Sequence, residues 1–332
     1  MAKATKGLKP KTRVGKAMAL IFPVKVRAIL KREDAVRAND IESVHQMRVA
    51  TKRLREAARL FRPAFGRRRM AGHIAHLQTL NTALGSVREL DVLGLHIKEL
   101  GEREEGLGEC LKPLIEATAQ RRAQANAKLI PVLDGTLGLL EQDFAELLME
   151  RTKKRKPVWR MRFVDLGCQS VEKRVLRAFA LEQAARDPKA VTEFHQMRIA
   201  IKKLKYAMEL FMGVLGKRTK KAYKAVSALQ ELMGLVHDCD VLLEVLQDTR
   251  QDTLSAEVCG RAREIVLADR ARLHTETVQL LDEMHAKDLC RKLLKAVGCV
   301  HADEPIPQVC PDPHATSPSD VPADDRPQPV EA

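Results

Sequence analysis

The chain has 332 residues, with 58 lysines and arginines against 44 aspartates and glutamates, a formal net charge of +14. Only 3% of residues are aromatic, alternating β-branched runs are essentially absent, and no apolar run reaches about 18 residues. These features exclude a β-rich fold and a membrane-spanning helix, and a field of this sign attracts polyanions such as nucleic acid, anionic lipid or phosphate polymers.

Residues 1–16 read as a basic mobile arm, whose apolar continuation is too short and too broken by Lys16 and Pro23 for a signal peptide. Helical spacing then predicts elements over 20–38, 41–62, 70–100, 103–130 and 132–150. RTKKRKP at 151–157 is a charged junction, after which the pattern resumes over 160–186, 188–212, 217–250, 254–285 and 287–299. The expected organisation is a first helical half over 17–150 and a second over 151–301. The segment 302–332 is Pro- and Asp-rich and is expected to be disordered. Because that tail is acidic, residues 1–301 carry about +20. Seven cysteines, odd in number and without a CxxC, read as reduced thiols of a cytosolic protein.

One stretch occurs twice. Residues 44–61 read VHQMRVATKRLREAARLF and residues 194–211 read FHQMRIAIKKLKYAMELF. A core requires apolar residues to recur; it does not require the same His, Arg and Lys. Drawn as a helix, Met47, Ala50, Leu54, Ala57, Ala58 and Phe61 make a core-facing stripe. His45, Arg48, Lys52, Arg55 and Arg59 make a basic stripe beside it, matched by His195, Arg198, Lys202 and Lys205 until Glu209 ends the second row. Val49 and Leu60, like Ile199 and Leu210, border the cations with apolar residues, as expected of a groove between helices. Like charges on one face repel, so something anionic is the natural compensation, either acidic partner residues or a ligand.

Asp40 is expected to cap the first copy, Asp187 followed by Pro188 to open the second, and Pro63 and Gly213 to end them. A second matched pair, LGSVRELDVL at 84–93 and MGLVHDCDVL at 233–242, supports an internal duplication, as does the spacing of Arg121 and Arg270. Asp91 and Asp240 could be a base or metal ligands, but the plainer expectation is that they pair with the repeated cations. No metal site and no cofactor are expected.

The doubled HQMRVATKRLR and HQMRIAIKKLK, each followed by an Asp-containing helix, resembles the CHAD family, the conserved histidine α-helical domain, over roughly residues 15–300. The resemblance implies an all-α fold of two pseudo-symmetric four-helix bundles around a basic pore or groove. It implies non-catalytic binding of inorganic polyphosphate, with the protein at polyphosphate granules in the cytoplasm. Transferred to this chain, the ligand set is His45, Arg48, Lys52, Arg53 and Arg55 with His195, Arg198, Lys202, Lys203 and Lys205. Arg59, Arg121, Arg122 and Arg270 are additional candidates. His237 stands where the first half has Arg88, a departure at that position. The ExExK signature of the CYTH partner domain found in some family members is absent from the sequence.

A stripe from His45 to Arg59 is about 20 Å long, enough for several consecutive phosphates. Arg suits them by forking two N–H groups onto phosphoryl oxygens, and Lys supplies a movable charge. For His45 and His195 the alternative is a helix-end histidine bonded within the bundle. Nucleic-acid binding is the main rival, with RTKKRK at 151–156 as a contact patch, but few aromatics are present to stack on bases. A polyphosphate-processing enzyme is a second rival, but GxxxxGK[ST], HExxH and DxDxD motifs are all missing. A scaffold recruiting proteins through its tail is a third.

Overall fold

A computed structural model describes residues 7–65, 67–149, 157–216, 219–248 and 254–308. It is all-α: α1 Val14–Leu30, α2 Glu33–Arg37, α3 Ile41–Phe65, α4 Arg67–Gly101, α5 Leu107–Met149, α6 Pro157–Arg160, α7 Phe163–Phe179, α8 Glu182–Ala185, α9 Val191–Leu215, α10 Thr219–Asp248, α11 Ala256–Ala286 and α12 Leu289–Ala296. The long helices α1, α3, α4, α5 and then α7, α9, α10, α11 follow one another in the same order. Each of α3 and α9 packs against the helices on either side of it in that order, and α3 also touches α9.

The repeated apolar stripe builds the core as its spacing requires. Met47, Leu54, Ala58 and Phe61 of α3, and Met197, Leu204, Ala207 and Phe211 of α9, have no exposed surface. Each large side chain buried in this way stabilises the fold by about 1.5–3 kcal/mol. The two repeated phenylalanines meet through Phe163 of α7, whose ring centroid lies 6.1 Å from Phe61 and 4.7 Å from Phe211. Gly167 makes room for that contact, since a Cβ there would stand 2.8 Å from the Phe211 ring.

Several local expectations are corrected. Helix α5 runs unbroken through Pro131, where two helices were expected over 103–130 and 132–150. Leu129, Leu133, Leu137 and Leu140 are buried on one side of it, so packing on both flanks of the proline keeps one axis despite the lost hydrogen bond. Pro63 and Gly213 do not end their helices, which continue to Phe65 and Leu215; the second stops at Gly216, with φ +83°. Asp40 does cap α3, its Oδ2 accepting from Ser43 N at 2.7 Å. Asp187 does not cap α9: its Oδ1 accepts from Lys189 N in the preceding turn, and α9 starts at Val191.

The domain ends shift as well. Within the expected arm, residues 7–16 are tied down: Leu8 and Val14 are buried, Phe163 N donates to Thr12 O at 2.7 Å, and α1 starts at Val14. At the other end, residues 302–308 pack on the body, with Ala302 buried and Gln308 Nε2 donating to Phe179 O at 3.1 Å. The rest of the expected tail, 309–332, and the basic run 151–156 lie outside the described residues. The six described cysteines are free thiols. Among the described residues no helix is long and apolar enough to cross a membrane.

Candidate functional site

The two basic rows lie side by side where α3 passes α9, and the cations act on one another across the contact. Lys52 is held well below the ordinary lysine value, first by burial, then by the facing charge of Lys202 and by Arg48; Glu89 opposes this in part. Arg198 is lowered by burial, with Asp238 opposing and Arg48 adding to the effect. Two positions of the first copy thus face the same two positions of the second.

The hydrogen bonding is incomplete at these arginines. Arg48 Nη2 donates to Glu89 Oε1 at 2.7 Å, but Glu89 is 67% exposed, so solvent screens the pair. The Nε atoms of Arg48 and Arg198 are buried and have no hydrogen-bond partner among the described residues. A buried donor left unmet costs about 1–3 kcal/mol, a cost that an anionic acceptor would remove. Arg48 lies over Gly85 of α4, where a Cβ would meet its Nε at 3.6 Å.

Histidines complete the rim. His45 is lowered by burial, then by Arg88, then by Arg48 and Lys52 after a partial offset from Glu42. His195 stacks obliquely on His237, with centroids 5.1 Å apart. His237 is pushed down to about 3 by burial and then by Arg198, His195 and Lys202. The carboxyl of Asp238 is raised by burial, while His96 and Arg198 pull it back.

Further along the same two helices, carboxylates take over. Arg53 forks onto Glu209 of α9 at 3.0 and 3.2 Å, and Tyr223 OH donates to the same carboxylate at 3.3 Å. Beside them Lys25 is brought down to about 8 by burial, with Glu209 opposing. Arg59 bonds Glu56 at 2.7 Å, and Arg174 of α7 approaches Glu56 at 3.9 Å.

The CHAD domain description matches residues 24–247. The chain belongs to the CHAD domain family. The crystal structure of the CHAD domain from the plant Ricinus communis superposes with a TM-score of 0.67 at 27% identity, covering 86% of this chain and 96% of that one. PptA from Streptomyces chartreusis shares the fold, with a TM-score of 0.61 at 13% identity, covering 82% and 99%. No curated protein matches the chain.

Within this CHAD domain the sequence-derived residues separate into groups. Arg48, Lys52, Arg198 and Lys202 come together, with His45 lowered by Arg48 and Lys52 and His195 stacked on His237. Arg55 is 6% exposed. Lys205 bonds Gln230 Oε1 at 2.8 Å, and Lys203 is half-buried. Arg53 and Arg59 are held by carboxylates. Arg122 and Arg270 are held too, and here an expectation is corrected. Asp91 and Asp240 form their ion pairs with these two, at 2.6 and 2.5 Å, and not with the repeated stripe, although the charge of Asp240 also reaches Arg198. The two pairs correspond down to their second partners, Asn39 Oδ1 for Arg122 at 2.5 Å and Pro188 O for Arg270 at 3.2 Å. Arg122, not the exposed Arg121, therefore answers to Arg270. Arg88, His96 and Asp238 were not in the expected ligand set. The matched LGSVRELDVL and MGLVHDCDVL segments were the sequence signal for Arg88 and Asp238; His96 lies just past the first of them and carried none. Among the described residues no cluster of His, Cys, Asp and Glu could hold a metal.

Proposed function

We propose that this CHAD domain binds inorganic polyphosphate, without turning it over, through Arg48, Lys52, Arg198 and Lys202, with His45 and His195 at the rim. The family is associated with polyphosphate binding and metabolism. The observation that carries the reading is the pair of buried guanidinium Nε atoms, one from each repeated helix, that lack an acceptor in the midst of like charges. A phosphate chain supplies an acceptor and a negative charge at every unit, so one ligand answers both rows. The negative charge of that chain would favour the protonated forms of Lys52 and His237, against the burial that disfavours them. By the same reading the protein works at cytoplasmic polyphosphate granules.

Nucleic acid fits less well. Trp159, Phe22, Phe61, Phe144, Phe163, Phe179, Phe194 and Phe211 are all in the core, so these rings are not available to stack on bases.

Isothermal titration with long-chain polyphosphate and with orthophosphate tests the reading. The long chain binds more tightly, and its affinity falls steeply with salt, with a log–log slope of about one per phosphate neutralised. Equal affinity for the two ligands, or preferential competition by DNA, overturns it.

A further inference from the structure

The two repeated histidines meet the same position of the next matched segment. Arg88 of α4 is the charge that acts most on His45. In the second half the ring of His195 lies against that of His237 of α10, with centroids 5.1 Å apart. Arg88 and His237 hold the same place in LGSVRELDVL and MGLVHDCDVL. One half therefore keeps a permanent cation beside its histidine, and the other keeps a group whose charge depends on a proton.

The neighbours of His237 set its resting form. From α9, His195, Arg198 and Lys202 act on it, and from α3, Arg48. The other helices packed on α10 are α4, α11 and α12. On α4, Glu89 bonds Arg48, while Arg88 and His96 act on Asp238, the residue after His237. On α11, Arg270 is taken by Asp240 and Asp269 by Arg103. On α12, Arg291 and Lys295 are taken by Asp303, and Lys292 donates to Lys287 O. Burial and the cations of α9 and α3 thus prevail, and the half-buried ring rests neutral, pushed down to about 3.

The cations that hold the ring neutral are the ones proposed to hold the ligand. A phosphate chain that satisfies them reverses the field at the ring, and an imidazolium offers two N–H donors where the neutral ring offers one. The first half needs no such step, because the guanidinium of Arg88 is charged at every working pH.

Resting on the polyphosphate reading, we infer that His237 is a further ligand-binding residue, one that joins the site only as the imidazolium, so that this chain takes up a proton on binding polyphosphate and binds it more tightly as pH falls.

The test is isothermal titration of the full chain with long-chain polyphosphate, of which only the end groups titrate near neutrality. Titrations at about pH 5.5 and about pH 7.5, each in two buffers of different ionisation enthalpy, count the protons taken up; one proton corresponds to about tenfold in affinity per pH unit. The unmodified chain is expected to take up protons and to gain about threefold to tenfold in affinity per unit as pH falls. His45 and His195 add to that slope, so the variants identify His237. H237R, which gives the second half the residue of the first, is expected to bind more tightly at the higher pH and to lose most of the slope. H237Q, neutral throughout, is expected to lose the slope by staying weak at the lower pH, and it decides alone if H237R does not fold. No proton uptake by the unmodified chain, or an H237Q slope equal to that of the unmodified chain, overturns the inference and leaves the polyphosphate reading standing. If the unmodified chain binds no polyphosphate at either pH, the polyphosphate reading itself falls, and this inference with it.

Discussion

Two stretches of the same pair of helices carry similar cations and put them to different uses. In the earlier stretch, Arg48 and Lys52 face Arg198 and Lys202; Glu89, which bonds Arg48, is mostly in water, and Asp238 offsets the lowering of Arg198 only in part. In the later stretch, Glu209 and Glu56, at 6% and 5% exposure, lie against Arg53 and Arg59. A cation whose counter-charge is buried beside it is part of the architecture, because removing one partner strands the other. A cation packed against its like, with N–H groups unmet, holds energy that a ligand can release. The difference lies in the neighbours and not in the residue type.

The strongest way to break this comparison is to remove the two facing arginines. Arg48→Ala with Arg198→Ala is expected to lower polyphosphate affinity about a hundredfold or more, as loss of two charged hydrogen-bonding groups implies. Stability to urea should hold or rise, because repulsion is relieved. Titration and denaturation on the same preparation read both; unchanged affinity counts against the site. The mirror experiment is Glu209→Ala, which strands Arg53 and Lys25. It is expected to cost about 3 kcal/mol of stability by chemical denaturation and to leave affinity undiminished. A stable Glu209→Ala protein that has lost binding would reverse the assignment of the two stretches.

A pH series sharpens the contrast. His237 sits near 3 in the folded chain against an ordinary 6.5, so between those values the unfolded chain binds more protons than the folded one. Its contribution to stability is therefore present above about 6.5 and is lost as pH falls toward 3. His237→Gln should flatten the acid limb of the thermal midpoint, and bound polyphosphate should flatten it for the unmodified chain. An acid limb identical in all three would show that His237 does not feel the arginine row. The smallest effect is expected at the exposed Arg121, where Ala should change affinity by less than about twofold. A larger loss would place ligand contacts on the outer face of α5.

Much of this was legible in the chain. The repeated His, Arg and Lys at helical spacing marked cations that the fold brings together where α3 passes α9, and the apolar stripe beside them gave the core face. What could not be read was which cation had a buried carboxylate, because Glu209 meets Arg53 only after α9 crosses α3. The spacing between Arg121 and Arg270 misled by one residue, since it is the contact with Asp91 that identifies Arg122. Pro131 and Pro63 looked like stops because local rules weigh the lost hydrogen bond and not the packing on either side.

Crystallisation of the chain with long-chain polyphosphate tests the central claim most directly. The account predicts phosphates within hydrogen-bond distance of Nε of both Arg48 and Arg198, with Arg53 still on Glu209. Phosphates confined to the outer faces of α5 or α11, with Arg48 still on Glu89, would contradict it.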